Sequence, residues 1–133
     1  MSLEGGCQCG EVRYAVQGEP VHAALCHCAD CRASSGAPVM AWGAFTAENF
    51  KVLRGEARAY NSSGAAFRHF CPTCGTGLWY VNEETLPNLV DIQIATLDDP
   101  EALPPGAHIQ AAEELAWMKG VSGLPHFERY PGP

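Results

Sequence analysis

The sequence predicts a mostly β fold, and three observations support this prediction. Several short segments alternate apolar and polar residues with a period of two, which is the pattern of a half-buried strand. Turns that contain glycine or proline separate these segments, as at residues 18–20 and 98–100. Helical patterns are confined to two short stretches. With 133 residues, the chain is long enough for one domain, residues 1–133, and too short for two of ordinary size.

The first half of the chain contains three predicted strands and one helical turn. Residues 11–17 form the first strand, because Val12, Tyr14 and Val16 alternate with more polar neighbours. Residues 21–25 and 38–45 form the next two strands. Between these two strands, residues 31–36 are predicted to form a short helical turn that Gly36 closes.

The second half continues the β pattern. Residues 51–54 and 58–60 predict a hairpin around Gly55, and residues 66–70 and 77–82 predict two strands that flank a Cys-x-x-Cys-Gly turn. Residues 89–96 form a further strand, with Val90, Ile92 and Ile94 inward and with Asp91 and Gln93 outward. Residues 113–118 are predicted as a short helix.

Seven cysteines lie in three groups along the chain. Their odd number and their spacing of two or three residues disfavour disulfides and favour metal ligands in a reducing compartment. Four thiolates close a tetrahedral zinc site, whereas three leave one position open for chemistry. The closed site is predicted from Cys7, Cys9, Cys71 and Cys74, and the open, reactive site from Cys26, Cys28 and Cys31. The alternatives are a disulfide framework, inert buried thiols, or a closed site that includes Cys26 or Cys28.

Other residues near these groups have two interpretations each. His27 lies between two cysteines of an extended segment, so it faces away from their sulfurs and is expected at the surface or in support of the site. Asp30 either supports the metal or is a solvated turn carboxylate. Trp42 either walls a ligand pocket or joins the core, whereas Trp79 is expected in the core. Three basic residues could meet a substrate carboxylate, although each could equally be a solvated surface charge: Arg13, Arg32 and Lys51.

Charge and hydropathy restrict the partners. A net charge of −7 argues against nucleic acid and against an anionic membrane surface as the main partner. No apolar run approaches the roughly 20 residues that a membrane helix requires. The first residues have neither the basic patch nor the apolar core of a signal peptide, so a cytoplasmic location is expected.

The order of the cysteine motifs resembles a known family. The motifs are Gly6-Cys7-Gln8-Cys9-Gly10, then Cys26-His27-Cys28-Ala29-Asp30-Cys31-Arg32, then Phe70-Cys71-Pro72-Thr73-Cys74-Gly75, with Pro105, His108-Ile109 and Trp117 in the tail. This order is similar to that of the glutathione-dependent formaldehyde-activating enzyme family, which also includes centromere protein V. The resemblance implies a β-tent fold, in which two antiparallel sheets lean together around zinc.

The resemblance also implies an activity. One zinc would be structural and a second, more easily lost zinc would be catalytic, with the same division of ligands as the spacing predicts. The implied reaction is that of a carbon–sulfur lyase, in which a small thiol such as glutathione combines with formaldehyde to give S-hydroxymethylglutathione. The alternative is a non-catalytic, zinc-stabilised module that binds a protein partner. The oligomeric state is not predicted.

Overall fold

The computed structural model describes residues 1–132 and contains two β-sheets with an apolar core between them. The strands are β1 (Ser2–Gly6), β2 (Arg13–Gln17), β3 (His22–Cys26), β4 (Met40–Thr46), β5 (Phe50–Arg54), β6 (Arg58–Ser63), β7 (Ala66–Phe70), β8 (Gly77–Asn82), β9 (Leu86–Gln93) and β10 (His108–Ile109), and one helix, α1 (Ala29–Ser35), follows β3. The small sheet has the order β1-β2-β5, and the large sheet has the order β10-β3-β4-β9-β8-β7-β6. The predicted mostly β class is confirmed. All pairs are antiparallel except β10 with β3, which is parallel.

The core lies where the inner faces of the two sheets meet. Tyr14 of β2 is fully buried, and its ring lies 6.0 Å from that of Trp79 on β8 and 5.9 Å from that of Phe50 on β5. Phe45 and Ile92 complete this face of the large sheet. Each such side chain contributes about 2 kcal/mol of burial free energy, so this contact holds the sheets together.

The opposite face of the large sheet carries a second, smaller cluster. In β4, Met40 and Trp42 point away from the Phe45 side because successive strand residues alternate between faces. They pack with Cys26 and Cys31, and the ring of Tyr80 lies 6.0 Å from that of Trp42. The large sheet is therefore covered on both faces.

The predicted hairpin around Gly55 is wrong. β5 pairs with β2 in the small sheet, whereas β6 pairs with β7 in the large sheet, so the chain passes between the sheets at Gly55. The local reason is steric. Gly55 has a φ of 78°, and a Cβ there would lie 2.2 Å from the carbonyl oxygen of Glu11. Only glycine allows β5 to leave the small sheet this close to another backbone.

Three further predictions are corrected by the structure. Asp91 does not face bulk solvent, because it lies in the wall of a cavity that Trp42 and Tyr80 also line and is only 7% exposed. The strand predicted to end at residue 96 stops at Gln93 and turns into a 3-10 segment at Ile94–Thr96. The helix predicted at residues 113–118 is replaced by two 3-10 segments, Ala111–Glu113 and Ala116–Gly123.

β1 was not predicted, because its five residues, Ser-Leu-Glu-Gly-Gly, have little strand propensity of their own.

Within residues 1–132, no helix has the length and the apolar character needed to cross a bilayer.

Candidate metal sites

Four cysteines that are distant in sequence converge where the two sheets meet. Cys7 and Cys9 follow β1 of the small sheet, and Cys71 and Cys74 follow β7 of the large sheet. The sulfur atoms of these four cysteines all lie within 4.8 Å of one another. Cys71 is fully buried and Cys7 nearly so, whereas Cys9 is exposed. A group held by these sulfurs would join the two sheets covalently.

The sulfur spacing fits a tetrahedral metal ion. The sulfur of Cys9 lies 3.6 Å from that of Cys7 and 3.8 Å from that of Cys71. Four sulfurs at about 2.3 Å from a tetrahedral zinc would lie about 3.8 Å apart. A disulfide would bring its sulfurs to about 2.05 Å, so the spacing does not correspond to oxidised pairs. The donor set and its geometry therefore suit a soft divalent metal.

The turns around the cluster point N–H groups at the sulfurs. In the Cys-x-x-Cys-Gly turn, the backbone N–H of Cys74 donates to the sulfur of Cys71 at 3.5 Å, and Gly75 adopts a φ of 82°. The backbone N–H of Val12 donates to the sulfur of Cys7 at 3.2 Å. N–H groups placed in this way stabilise negative charge on sulfur.

The contacts shift the pKa values of Cys7, Cys9 and Cys74. Hydrogen bonds from the Thr76 hydroxyl and backbone lower the pKa of Cys74 to about 5. Burial acts to raise the pKa of Cys7, but the Val12 N–H and two neighbouring thiols outweigh it and lower the pKa. The backbone N–H of Glu11 acts to lower the pKa of Cys9, yet burial and three nearby thiols together raise it to about 12. The raised pKa of Cys9 shows that its neighbours oppose a further negative charge, which a bound cation would offset.

The second group contains three cysteines at the end of β3 and the start of α1. The sulfurs of Cys26, Cys28 and Cys31 lie within 4.8 Å of one another, and that of Cys31 is 3.6 Å from that of Cys26. Cys26 and Cys31 are buried and Cys28 is half-buried. Burial raises the pKa of Cys26 and raises that of Cys31 to about 12, with a further increase from neighbouring thiols. This donor set also fits a soft metal, with one fewer ligand.

The local sequence explains how the three sulfurs converge. Cys28 is the N-cap of α1, and its sulfur accepts a hydrogen bond from the backbone N–H of Cys31 at 3.3 Å. The helix then ends after seven residues at Gly36, which has a φ of 70° and whose N–H donates to the carbonyl of Arg32. The predicted helical turn closed by Gly36 is thus present, and it places Cys31 one turn away from its cap.

The chain segment around β10 fastens this loop from the other side. The Nε2 atom of His27 lies 2.8 Å from the Nδ1 atom of His108, and the backbone N–H of His27 donates to the Ile109 carbonyl. Arg32 donates from one nitrogen to the carbonyl oxygens of His27 and Glu113, at 2.6 Å each. His27 is 1% exposed, so a surface position is wrong for it, and its ring nitrogens do not belong to either sulfur cluster.

All three cysteines line a cavity of about 370 Å³ on the outer face of the large sheet. Trp42 and Tyr80 form apolar walls of this cavity, so Trp42 lines a pocket while it packs on the sulfur cluster. Asp30 lies at its edge and is exposed. Two residues that the sequence did not single out for the site, Arg68 and Asp91, also line it. One feature of the sequence could have pointed to Asp91. Strand alternation places Asp91 on the other face of its strand from Ile92, and this is the face of the sheet that also carries Trp42.

The three basic residues considered for substrate binding lie elsewhere. Arg13 makes a two-point ion pair with Asp98, at 2.5 and 2.8 Å, and Arg32 is engaged with backbone carbonyls. Lys51 is exposed on β5 of the small sheet. Trp79 lies in the core, as expected.

Comparison with known proteins places these features in a family. The model of the glutathione-dependent formaldehyde-activating enzyme family matches residues 2–113. A Halomonas elongata protein, provisionally named a glutathione-dependent formaldehyde-activating enzyme, is 31% identical over 130 residues, which cover 90% of this chain and 81% of that protein. A Schizosaccharomyces pombe protein described as an uncharacterized lyase is 33% identical over an 81-residue alignment, and the match covers 58% of this chain and 56% of that protein.

A solved structure shares the architecture. The crystal structure of a Rhodobacter sphaeroides protein superposes with a TM-score of 0.63 at 25% identity, covering 80% of this chain and 99% of that one. The family model spans every cysteine of both clusters. On these grounds, the chain belongs to the glutathione-dependent formaldehyde-activating enzyme family, as its cysteine motifs predicted.

Proposed function

We propose that the chain is a zinc-dependent carbon–sulfur lyase that forms and cleaves the adduct between a thiol and an aldehyde. Glutathione and formaldehyde are the pair that the family description suggests. Cys26, Cys28 and Cys31 would hold the catalytic zinc, and Cys7, Cys9, Cys71 and Cys74 would hold a structural one. A reducing compartment such as the cytoplasm would keep all seven cysteines available as ligands.

The observation that carries this proposal is the difference between the two clusters. Four sulfurs complete a tetrahedron at the junction of the sheets, whereas three sulfurs lie together in the wall of a cavity. A zinc ion bound by three protein sulfurs would supply an open ligand position for a thiol sulfur and would lower the pKa of that thiol. Three thiolates make zinc a weak Lewis acid, which suits thiol exchange better than the activation of water.

The chain's own residues would confine the reaction. In the forward direction, the thiol sulfur forms a bond to the aldehyde carbon, the C=O π bond breaks, and the oxygen takes up a proton equivalent to the one that the thiol lost. Trp42 and Tyr80 form apolar walls beside the sulfurs and would limit the access of water to the reacting groups. The contacts of His27 and Arg32 with residues 108–113 would hold the cysteine loop in place during this exchange.

The structural role of the four-cysteine cluster is supported by its position. It links residues 62 positions apart, and two of its sulfurs are buried in the core. A metal that binds the folded chain and not the unfolded one contributes its binding free energy to folding. We therefore expect Cys71→Ser to lower the yield of folded protein and Cys28→Ser to leave the fold intact.

The ligand division can be tested with Cys28→Ser. Serine is a favourable N-cap residue, so this substitution should preserve α1 while removing one sulfur. Metal analysis of zinc-loaded protein should fall from about two ions per chain to about one. Ala33→Ser, on an exposed position of the same helix, is the matched control and should retain both ions.

The reaction itself is tested by exchange NMR on glutathione and formaldehyde at equilibrium. Wild-type protein with both ions should accelerate interconversion with the adduct, and Cys28→Ser should not. If fully loaded wild-type protein has no effect on the exchange rate and binds no thiol, the lyase proposal fails. The module that binds a protein partner would then be the better account.

A further inference from the structure

Two oppositely charged side chains share the cavity that contains the three cysteines. On the large sheet, Arg68 of β7 pairs with Tyr80 of β8, and Tyr80 pairs with Asp91 of β9. Residues paired across neighbouring strands project to the same face, so all three side chains lie on the outer face of the large sheet. All three line the cavity together with Cys26, Cys28 and Cys31.

Neither charged group has its hydrogen bonds satisfied by the protein. The Oδ1 atom of Asp91 and the Nε atom of Arg68 are buried and have no hydrogen-bond partner among the described residues. Asp91 is only 7% exposed, and its burial raises its pKa to about 7. The guanidinium carbon of Arg68 lies 5.0 Å from the centre of the Tyr80 ring. The two residues lie two strand spacings apart, about 10 Å between backbones, and form no ion pair with each other.

The position of Asp91 shows which part of a ligand it can meet. Asp91 pairs with Ala44 on β4, whereas Cys26 pairs with Met40, four residues along the same strand. Strand spacing then gives at most about 16 Å between the backbones of Asp91 and Cys26. The Trp42 side chain lies between them along β4. If a thiol ligand places its sulfur beside the three cysteines, the part of the ligand that reaches Asp91 therefore lies several bonds away from the reacting carbon.

Unpaired charges of both signs at that end of the cavity are complementary to a zwitterionic ligand. A buried carboxylate is stabilised by an ammonium group, and a guanidinium binds a carboxylate in a planar, two-point geometry. A neutral thiol would leave both side chains unsatisfied, which costs binding free energy. We propose that Asp91 and Arg68 recognise the amino-acid end of the thiol, with Asp91 accepting hydrogen bonds from its amino group and Arg68 donating to its carboxylate. This assignment rests on the proposed function and names the two residues that would recognise its thiol.

The test compares related thiols on cobalt-loaded protein, where a new sulfur ligand changes the charge-transfer absorption. The probes are glutathione, N-acetylglutathione, glutathione diethyl ester and 2-mercaptoethanol. Wild-type protein should bind glutathione about tenfold or more tightly than either modified form, the loss expected for one charge-assisted hydrogen bond. Asp91→Asn should remove the preference over the N-acetyl form, and Arg68→Gln should remove the preference over the ester. Both variants should bind 2-mercaptoethanol as the wild type does.

The control is Asp99→Asn, which removes an exposed carboxylate on a turn and should leave both preferences unchanged. A second measurement needs no variant. The preference for glutathione over its N-acetyl form should decline as the pH falls below about 7, because Asp91 then becomes neutral. The thiol is the same in both ligands, so the ratio cancels the titration of the cysteines. The other groups facing Asp91 in the cavity are His22, Asp30, Arg68 and Tyr80, and Asp91→Asn should abolish this pH effect.

The outcomes separate this inference from the proposed function. If 2-mercaptoethanol changes the cobalt spectrum but wild-type protein does not distinguish the modified glutathiones, the inference is overturned and the proposed function stands. The inference is also overturned if either variant keeps the preference that it should lose. If no thiol changes the cobalt spectrum, both the inference and the proposed function are rejected.

Discussion

Replacing Asp91 with asparagine should stabilise the protein above neutral pH. Asp91 is buried without an ion pair, and burial raises its pKa from 3.8 to about 7. Because the folded-state pKa is raised, the folded protein holds a proton that the unfolded chain releases between these two values. Stability therefore falls as the pH rises through this window and is constant above about pH 7. Asparagine has nearly the same shape and does not ionise, so Asp91→Asn should not show this loss.

The magnitude follows from the width of the window. At about 1.4 kcal/mol per pH unit, the full interval corresponds to about 4 kcal/mol. Metal ligands protonate at low pH, so the practical range begins at about pH 5 and ends at about pH 8, where about 3 kcal/mol should be seen. This is a large fraction of the total stability of a small domain.

The assay is denaturant unfolding of zinc-loaded wild-type and Asp91→Asn protein at several pH values. The quantity to follow is the difference between their unfolding free energies, since the cysteine titrations are common to both and cancel. Asp99→Asn, at an exposed site, should differ from wild type by no more than about 0.5 kcal/mol at every pH. If the difference for Asp91→Asn does not change between the two ends of the range, the Asp91 carboxyl is not destabilised by burial and the reasoning is refuted.

Three further substitutions, one of them a control, test the fold by the same unfolding measurement. Gly55→Ala should cost more than about 2 kcal/mol, because the residue has a positive φ and its Cβ would meet a backbone oxygen at 2.2 Å. Gly64→Ala has a positive φ but open space, so it should cost only about 1 kcal/mol, and equal losses would contradict the steric explanation. Tyr14→Phe removes a 2.7 Å hydrogen bond to the Thr96 hydroxyl and should cost about 1 kcal/mol. No loss in this variant would mean that the hydroxyl pair is not formed in solution.

Local chemistry made part of this structure predictable from sequence. Alternation predicted β2 and the inner face of β9, because each depends only on neighbouring residues. The division of the cysteines into four and three came from spacing, since a turn of two or three residues brings its own sulfurs together. The structure brings those same sulfurs together, although their roles as ligands remain a proposal.

The errors in strand pairing and in burial involve partners on other segments of the chain. Neither the placement of β5 beside β2 nor the strand character of β1 can be inferred from their own residues, because both result from pairing with β2. The outward position predicted for Asp91 is wrong, and of the two interpretations of His27 the surface position is wrong, because both residues are buried. The ring of His27 contacts His108, which lies 81 positions later in the chain. Asp91 lies in the wall of a cavity that it shares with Trp42 of β4, which is far from it in sequence.

The two buried polar groups differ in a way that bears on their roles. His27 is held through its Nε2 atom by the His108 ring and through its backbone by Ile109, so its burial adds rigidity to the cysteine loop, although its Nδ1 atom has no partner among the described residues. Asp91 is held by no hydrogen bond at its Oδ1 atom, and it lowers stability at neutral pH by an amount that a single substitution would recover. If Asp91 only supported the fold, asparagine at this position would give the more stable protein. A destabilising carboxyl in the wall of a cavity is expected where a ligand supplies the missing partner, and the stability gain of Asp91→Asn should then accompany its loss of ligand discrimination.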